Sequence, residues 1–190
     1  TTLGIKGGRT VHEYWPKFKS VAVNVSIDGL HDTYEYIRGN GKFADVEHNI
    51  KEMKKIPSVS RIVGAFTVQA NNILQIDKVI DYFLRDMEIV FYSHRVNYPR
   101  ALSAQVLPEK LKQAVVVKLE AMKDKVKDYP IIQKHPVLEK ITLRQIQDNI
   151  NFLQAKDLHQ YWDDCVDFNR KLDETRKQGP FEKINPEFAN

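Results

Sequence analysis

Cysteine is nearly missing from this sequence: Cys165 is the one thiol in 190 residues. A single thiol excludes an intrachain disulfide, and it excludes any all-cysteine metal or iron–sulfur site built from this chain alone. It also points to a reducing cytoplasm as the compartment. Long apolar runs are absent too. None approaches the roughly 20 residues that span a bilayer, and residues 1–8 hold no apolar core of the kind that opens a secretory signal. Charge of one sign does not dominate: 29 basic side chains are interspersed with 25 acidic ones, for a net charge of +4. That balance describes a solvated surface, and no RNP, zinc-finger or helix-turn-helix pattern argues for nucleic acid. Glycine is scarce, and Gly4, Gly7 and Gly8 lack the spacing of a dinucleotide or P-loop fingerprint and read as a loop. No Gly-x-Ser-x-Gly elbow occurs. His12, His31, His48, His135 and His159 show no pairing at metal-ligand spacing, and Asp163, Asp164 and Asp167 read as a solvated acidic face.

What remains is an ordinary globular composition, 42% hydrophobic and 28% charged, at a length that suits one domain or one plus a helical extension. The chain is organised around VAVNVSIDGLHDTYEYIR, residues 21–38. Val21, Val23, Val25 and Ile27 begin a strand, which breaks at Ser26-Ile27-Asp28-Gly29 into a polar turn. A strand that ends this way brings a hydroxyl, a carboxylate and bare backbone to one point. In parallel α/β folds the carboxyl ends of strands are where ligands bind; the same Asp-Gly pair also reads as a plain turn. The near-continuous apolar character of 21–27 predicts a strand covered on both faces.

Residues 61–68 and 88–92 read as the second and third strands, with Ser93 to Pro99 as a polar exit. A polar loop is expected around Tyr34, Tyr36, Arg38 and Gly39-Asn40-Gly41. Phe43, Val46, Ile50, Met53 and Ile56 have helical spacing and predict a helix over 43–56; a second is expected over 73–84. Thr10 to Glu13 has capping-box spacing and predicts a helix over 11–19 that buries Trp15 and Phe18. The alternation predicts a parallel β/α series, either an open doubly wound sheet or a piece of a barrel. After Pro99 the strand signals stop. Helices are expected over 109–127, 142–154 and 158–177, with a loop at 129–136 and a buried stripe of Trp162, Cys165 and Phe168. The fold class is therefore α/β: a parallel β/α series over 1–100, then a helical C-terminal region over 101–190. As a piece of a barrel, the series leaves strand edges open to self-association.

Within VNVSIDGLHDTYEYIRGNGKFADVEHNI the series Ser26, Asp28, Gly29, Arg38, Gly39, Phe43, Val46, Asn49 and Ile50 resembles the fourth strand and following helix of radical S-adenosylmethionine (radical SAM) enzymes, of the branch with a twitch or SPASM-type extension. Thr67-Val68 with Asn71-Asn72 is similar to that family's fifth strand and its loop; Thr1 to Gly4 resembles the end of its third strand, and Asn185-Pro186-Glu187-Phe188 the close of twitch-bearing members. The resemblance covers residues 1–98 well and the remainder loosely. It makes the β/α series of 1–100 a partial parallel β/α barrel, and it implies reductive cleavage of S-adenosylmethionine at a [4Fe–4S] cluster, giving a radical that abstracts hydrogen from a small-molecule or peptide substrate. The chain departs from the family in one respect: the Cys-x3-Cys-x2-Cys motif that holds the cluster is not in this sequence. Two readings follow. Either this is the C-terminal portion of a longer enzyme whose N-terminal half carries the cluster, or it is a cluster-free α/β binding module, peptide-binding for example. On either reading no nucleic acid and no membrane is the expected partner.

The resemblance implies cofactor contacts at Ser26, Asp28, Arg38 and Asn71, and substrate contacts at His94 and Asn97, beside Arg95. Each has a plainer reading. Ser26 and Asp28 suit a turn, Arg38 an ordinary surface cation, and Asn71 and Asn72 helix caps. What favours the functional reading of Arg38 is its planar donor fork, which matches a carboxylate.

Overall fold

Three runs of β-branched and aromatic residues form a parallel sheet, and most of the other described residues are helical. The computed structural model describes residues 4–5, 9–39 and 41–189. The expectations for residues 1–3, for Gly7 and Gly8 and for Asn40 fall outside these. Strands β1 (Gly4–Ile5) and β2 (Arg9–Thr10) pair antiparallel. Helix α1 (Val11–Tyr14) follows and tightens into a 3-10 turn, Trp15–Lys17. The backbone N–H of Thr10 donates to Glu13 Oε1 at 2.9 Å, as the capping-box spacing predicts. The helix is shorter than expected because Pro16 withdraws a donor and forces the tighter turn. Trp15 is only partly buried, and Phe18 is 59% exposed instead of buried.

Next come β3 (Val21–Ser26), α2 (His31–Arg38), α3 (Phe43–Lys54), β4 (Val59–Val68), α4 (Ile76–Asp81) and β5 (Val90–Arg95). Helix α2 replaces the expected polar loop. Its Thr33, Tyr34 and Tyr36 are buried, so the tertiary contacts override a polar sequence. The helical spacing of 73–84 is present as a 3-10 turn (Ile73–Gln75), α4 and a π-helical turn (Tyr82–Asp86). The third strand begins later than expected and takes in His94 and Arg95.

The C-terminal region holds α5 (Glu109–Lys123), α6 (Pro130–Lys134), α7 (Val137–Ala155) and α8 (Trp162–Arg176), ending in short 3-10 turns Phe181–Lys183 and Pro186–Ala189. Helix α6 stands where a loop is expected; Pro130 occupies its first position, where a missing N–H costs nothing. Helix α7 starts at Val137, so Thr142 is a buried mid-helix residue and not a cap. Phe168 is 40% exposed, outside the stripe that buries Cys165.

The sheet order is β3-β4-β5, all parallel. One face is closed by helices. Val25, Phe66, Phe83, Phe91 and Ile80 are fully buried there, and the Phe83 ring lies 6.0 Å from that of Phe91. A Cβ on Gly64 would sit 2.4 Å from the Phe83 ring, so the side chain missing from β4 is the space that Phe83 fills. Ser93 of β5 points the same way and is tied to α7: its N–H and hydroxyl donate to Gln145 Oε1 at 2.9 Å, and it accepts from Asn149 Nδ2 at 2.8 Å.

The other face corrects the expectation of a doubly covered strand. Ala22, Asn24 and Ser26 of β3 are exposed, as are Tyr92 and His94 of β5, while Val63, Ala65 and Thr67 of β4 are half-buried between them. Residues paired across a sheet share a face, and the register aligns Ser26 with Ala65 and Ala65 with Tyr92, then Thr67 with His94. Among the described residues no element covers this face well enough to bury it. Its makeup of small, polar and aromatic side chains differs from the closed face, where the core sits. Among the described residues, no helix is long and apolar enough to cross a membrane.

Candidate functional site

Ladder pairing continues one residue past β3, where the N–H of Ile27 donates to the Ala65 carbonyl at 2.9 Å. The chain then turns at Asp28-Gly29. A Cβ on Gly29 would stand 2.8 Å from Thr33 Cγ2 and 3.0 Å from the Thr33 Cβ and the backbone nitrogen of Tyr34. Only glycine lets the first turn of α2 come this close to the strand end.

Asp28 is the knot of the carboxyl edge. It is 5% exposed. Its Oδ1 accepts from the backbone N–H of Thr67 at 3.1 Å, and its Oδ2 meets Arg38 Nη2 at 2.6 Å. Its carbonyl accepts from Asn72 Nδ2 at 3.0 Å. The same Asn72 amide donates to the Thr67 carbonyl at 2.8 Å, and its Oδ1 accepts from the N–H of Gln69 at 2.9 Å. Asn72 therefore clamps the ends of β3 and β4 together; it does not cap a helix through its side chain. Arg38, the last residue of α2, is held at this edge by Asp28 with 39% of its side chain exposed. The remaining donors of its fork are the ones an incoming anion can reach.

Ser26 lies on the open face, exposed, with no hydrogen bond from its hydroxyl to any described residue. His94 is exposed on the same face one row nearer the carboxyl edge, and its ring packs edge-on against Tyr92 at 4.8 Å. Asn97 follows in the exposed exit from β5. Asn71 is placed differently. It is 3% exposed, and both ends of its amide engage Asn169 of α8: Nδ2 donates to Asn169 Oδ1 at 2.8 Å and Oδ1 accepts from Asn169 Nδ2 at 3.2 Å. Its role in this structure is to anchor the loop after β4. The structure thus brings Ser26, Asp28 and Arg38 to one end of the sheet, sets His94 across from them, and turns Asn71 inward.

One group on this face escapes a reading by motif. Tyr92 is no part of any signature, yet it lies across Ala65 from Ser26 and next to His94 on the same face, while Thr67, which the resemblance gives only as a strand end, pairs with His94. The signal that finds Tyr92 is the period-two alternation of Val90, Tyr92, His94.

Burial shifts three groups near the site and in the core. Burial raises the Tyr34 phenol, with Arg38 opposing the shift. Burial together with the Asp173 carboxylate pushes the Tyr36 phenol far above its ordinary range, so it acts as a neutral donor, to Asn169 Oδ1 at 3.3 Å. Burial alone pushes the Cys165 thiol up to about 12, which suits packing and not nucleophilic or ligand chemistry.

The fit of the two implied groups differs. A [4Fe–4S] cluster needs three thiolates; this chain has one buried thiol, and no cluster of three His, Cys, Asp or Glu suited to a metal occurs among the described residues. The cluster does not fit these residues. S-adenosylmethionine is compatible with them, since a half-exposed guanidinium and an unpartnered hydroxyl offer donors for its carboxylate and ribose. The site is an open surface. A cavity of about 380 Å³ lies elsewhere, lined by Ile62 and Val90 at the beginnings of β4 and β5 and by Ile131 and Leu138, at the opposite end of the sheet. Comparison with protein families, with curated proteins and with solved structures finds no match for this chain.

Proposed function

We propose that this chain is the cofactor- and substrate-facing portion of a cytoplasmic radical SAM enzyme, a partial β/α barrel whose cluster ligands come from a segment other than these residues. The observation that carries the reading is the carboxyl edge itself: Arg38 paired to Asp28 at 2.6 Å beside a sheet face that presents Ser26, Thr67, Tyr92 and His94 unburied. In parallel α/β proteins ligands bind at this edge. The open face corresponds, on this reading, to the lumen of the barrel. Arg38 binds the carboxylate of S-adenosylmethionine, Asp28 fixes the guanidinium, and Ser26 donates to the cofactor's polar groups. His94 and Asn97 line the substrate side, with Tyr92 beside them. Bound cofactor supplies radical-based hydrogen abstraction in the family; this chain contributes binding and orientation, not the electron source.

A second reading is a non-catalytic binding module, which needs no cluster and would use the same exposed face. Calorimetric titration separates the two. The cofactor reading expects S-adenosylmethionine to bind the wild-type chain and Arg38→Ala to weaken it by about 10-fold or more, one charge-assisted contact being worth ~1.5–3 kcal/mol. No heat with the wild type, or equal affinity in Arg38→Ala, would leave the binding module standing.

A further inference from the structure

Arg38 does not hold its place by the Asp28 contact alone. Helix α2 ends at Gly39, whose φ of +67° stops the helix, and the last carbonyls of any helix lack intrahelical donors. Here the donor comes from α8. Arg176 Nη1 donates to the Tyr36 carbonyl at 3.0 Å and to the Ile37 carbonyl at 3.3 Å. The Ile37 carbonyl belongs to the peptide unit that also contains the nitrogen of Arg38, so Arg176 grips the backbone from which Arg38 springs. A cation at this point also meets the negative end of the α2 dipole.

Helix α8 is itself fixed to the site. Asn169 and Arg176 are seven residues apart, two turns on one face. Asn169 takes both ends of the Asn71 amide, and Asn185 Nδ2 in the C-terminal tail donates to the Asn71 carbonyl at 2.9 Å. Asp173 lies between the two on the same face; its Oδ2 accepts from the N–H of Phe181 at 2.9 Å and folds the tail back, where Phe181 packs 5.8 Å from the Tyr36 ring.

We infer that Arg176 is a positioning residue for Arg38, and that α8 and the tail form a strap which sets the geometry of the candidate site from behind. The inference rests on the cofactor reading for its meaning but not for its test. The direct measurement is the order parameter of the Arg38 Nε–H bond by NMR in the full chain, with no ligand added. Arg176→Ala lowers that order parameter below the wild-type value, while Arg176→Lys, which keeps a cationic donor, restores it. An unchanged order parameter in a folded Arg176→Ala variant overturns the inference. Should the alanine variant fail to fold, Arg176→Gln against Arg176→Lys decides: equal Arg38 order in both contradicts a charged clamp. If the wild type binds S-adenosylmethionine, Arg176→Ala also raises Kd about 10-fold as the competent Arg38 orientation falls to about a tenth, and Arg176→Lys stays near wild type; equal affinity in Arg176→Ala again overturns the inference. Absence of cofactor binding by the wild type sinks the cofactor reading and leaves the strap to the order parameter.

Discussion

The two faces of the β3-β4-β5 sheet share their backbone and almost nothing else. On the closed face Phe66, Phe83 and Phe91 are fully buried and Gly64 is sized to admit a ring. On the open face Ser26, Tyr92 and His94 are exposed, and the small side chain of Ala65 lies between Ser26 and Tyr92. One face excludes water, and the other is the face that the proposed function assigns to a ligand. Stability should therefore reside on the first and recognition on the second, and substitutions can test that separation.

The largest effect is expected on the closed face. Phe83→Ala removes a fully buried ring that packs over Gly64 of β4 and beside Phe91 of β5, and should cost ~3–5 kcal/mol, read as a fall in the urea midpoint. A loss below about 1 kcal/mol would mean that the ring is not part of the core. Arg38→Ala should do less to stability, ~1–3 kcal/mol, because Asp28 loses its charged partner but keeps the Thr67 N–H. On the proposed function it should also weaken S-adenosylmethionine binding by about 10-fold or more, and a loss of stability with affinity unchanged would assign Arg38 to the scaffold alone.

Cys165 sharpens the closed side by chemistry. With its folded value near 12 against an ordinary 9.0, the thiol stays protonated in the native chain while the unfolded chain ionises. Between about pH 9 and 12 the unfolded state binds fewer protons, so this group's contribution to stability is intact below pH 9 and is lost as pH rises to 12. Thiol labelling at pH 8 should be slow in the native protein and fast in denaturant; equal rates would place the thiol outside the core. The smallest stability effects are expected from Ser26→Ala and Tyr92→Ser. Both should lie within about 0.5 kcal/mol of wild type, and a larger loss in either would show that the open face is packed against something.

The alternation of strands and helices up to Pro99 was legible because Phe43, Val46, Ile50 and Met53 keep a clean helical period and the strands are β-branched. Ser26 and Asp28 were legible from the break at the end of the first strand, and Arg38 joined them only through the family resemblance. The open face was not, because Val21, Val23, Val25 and Ile27 dominate the pattern and mask Ala22, Asn24 and Ser26 between them; only the register shows which way each points. Helix α2 escaped because its buried residues are Thr33, Tyr34 and Tyr36, polar types buried by tertiary partners: Thr33 donates to Gln75, Tyr34 packs edge-on against Phe43, and Tyr36 meets Asn169 and Phe181, more than 130 residues away. A separation of 98 residues hid the role of Asn71, which no local pattern ties to Asn169.

The measurement that bears most directly on a ligand-facing carboxyl edge is a map of backbone amide shifts on titrating S-adenosylmethionine into the labelled full chain. The account predicts that the perturbed amides cluster at Ser26, Asp28, Arg38, Thr67 and His94, with α5 and the closed face unmoved. Shifts confined to the helical side of the sheet, or none at saturating ligand, would contradict it.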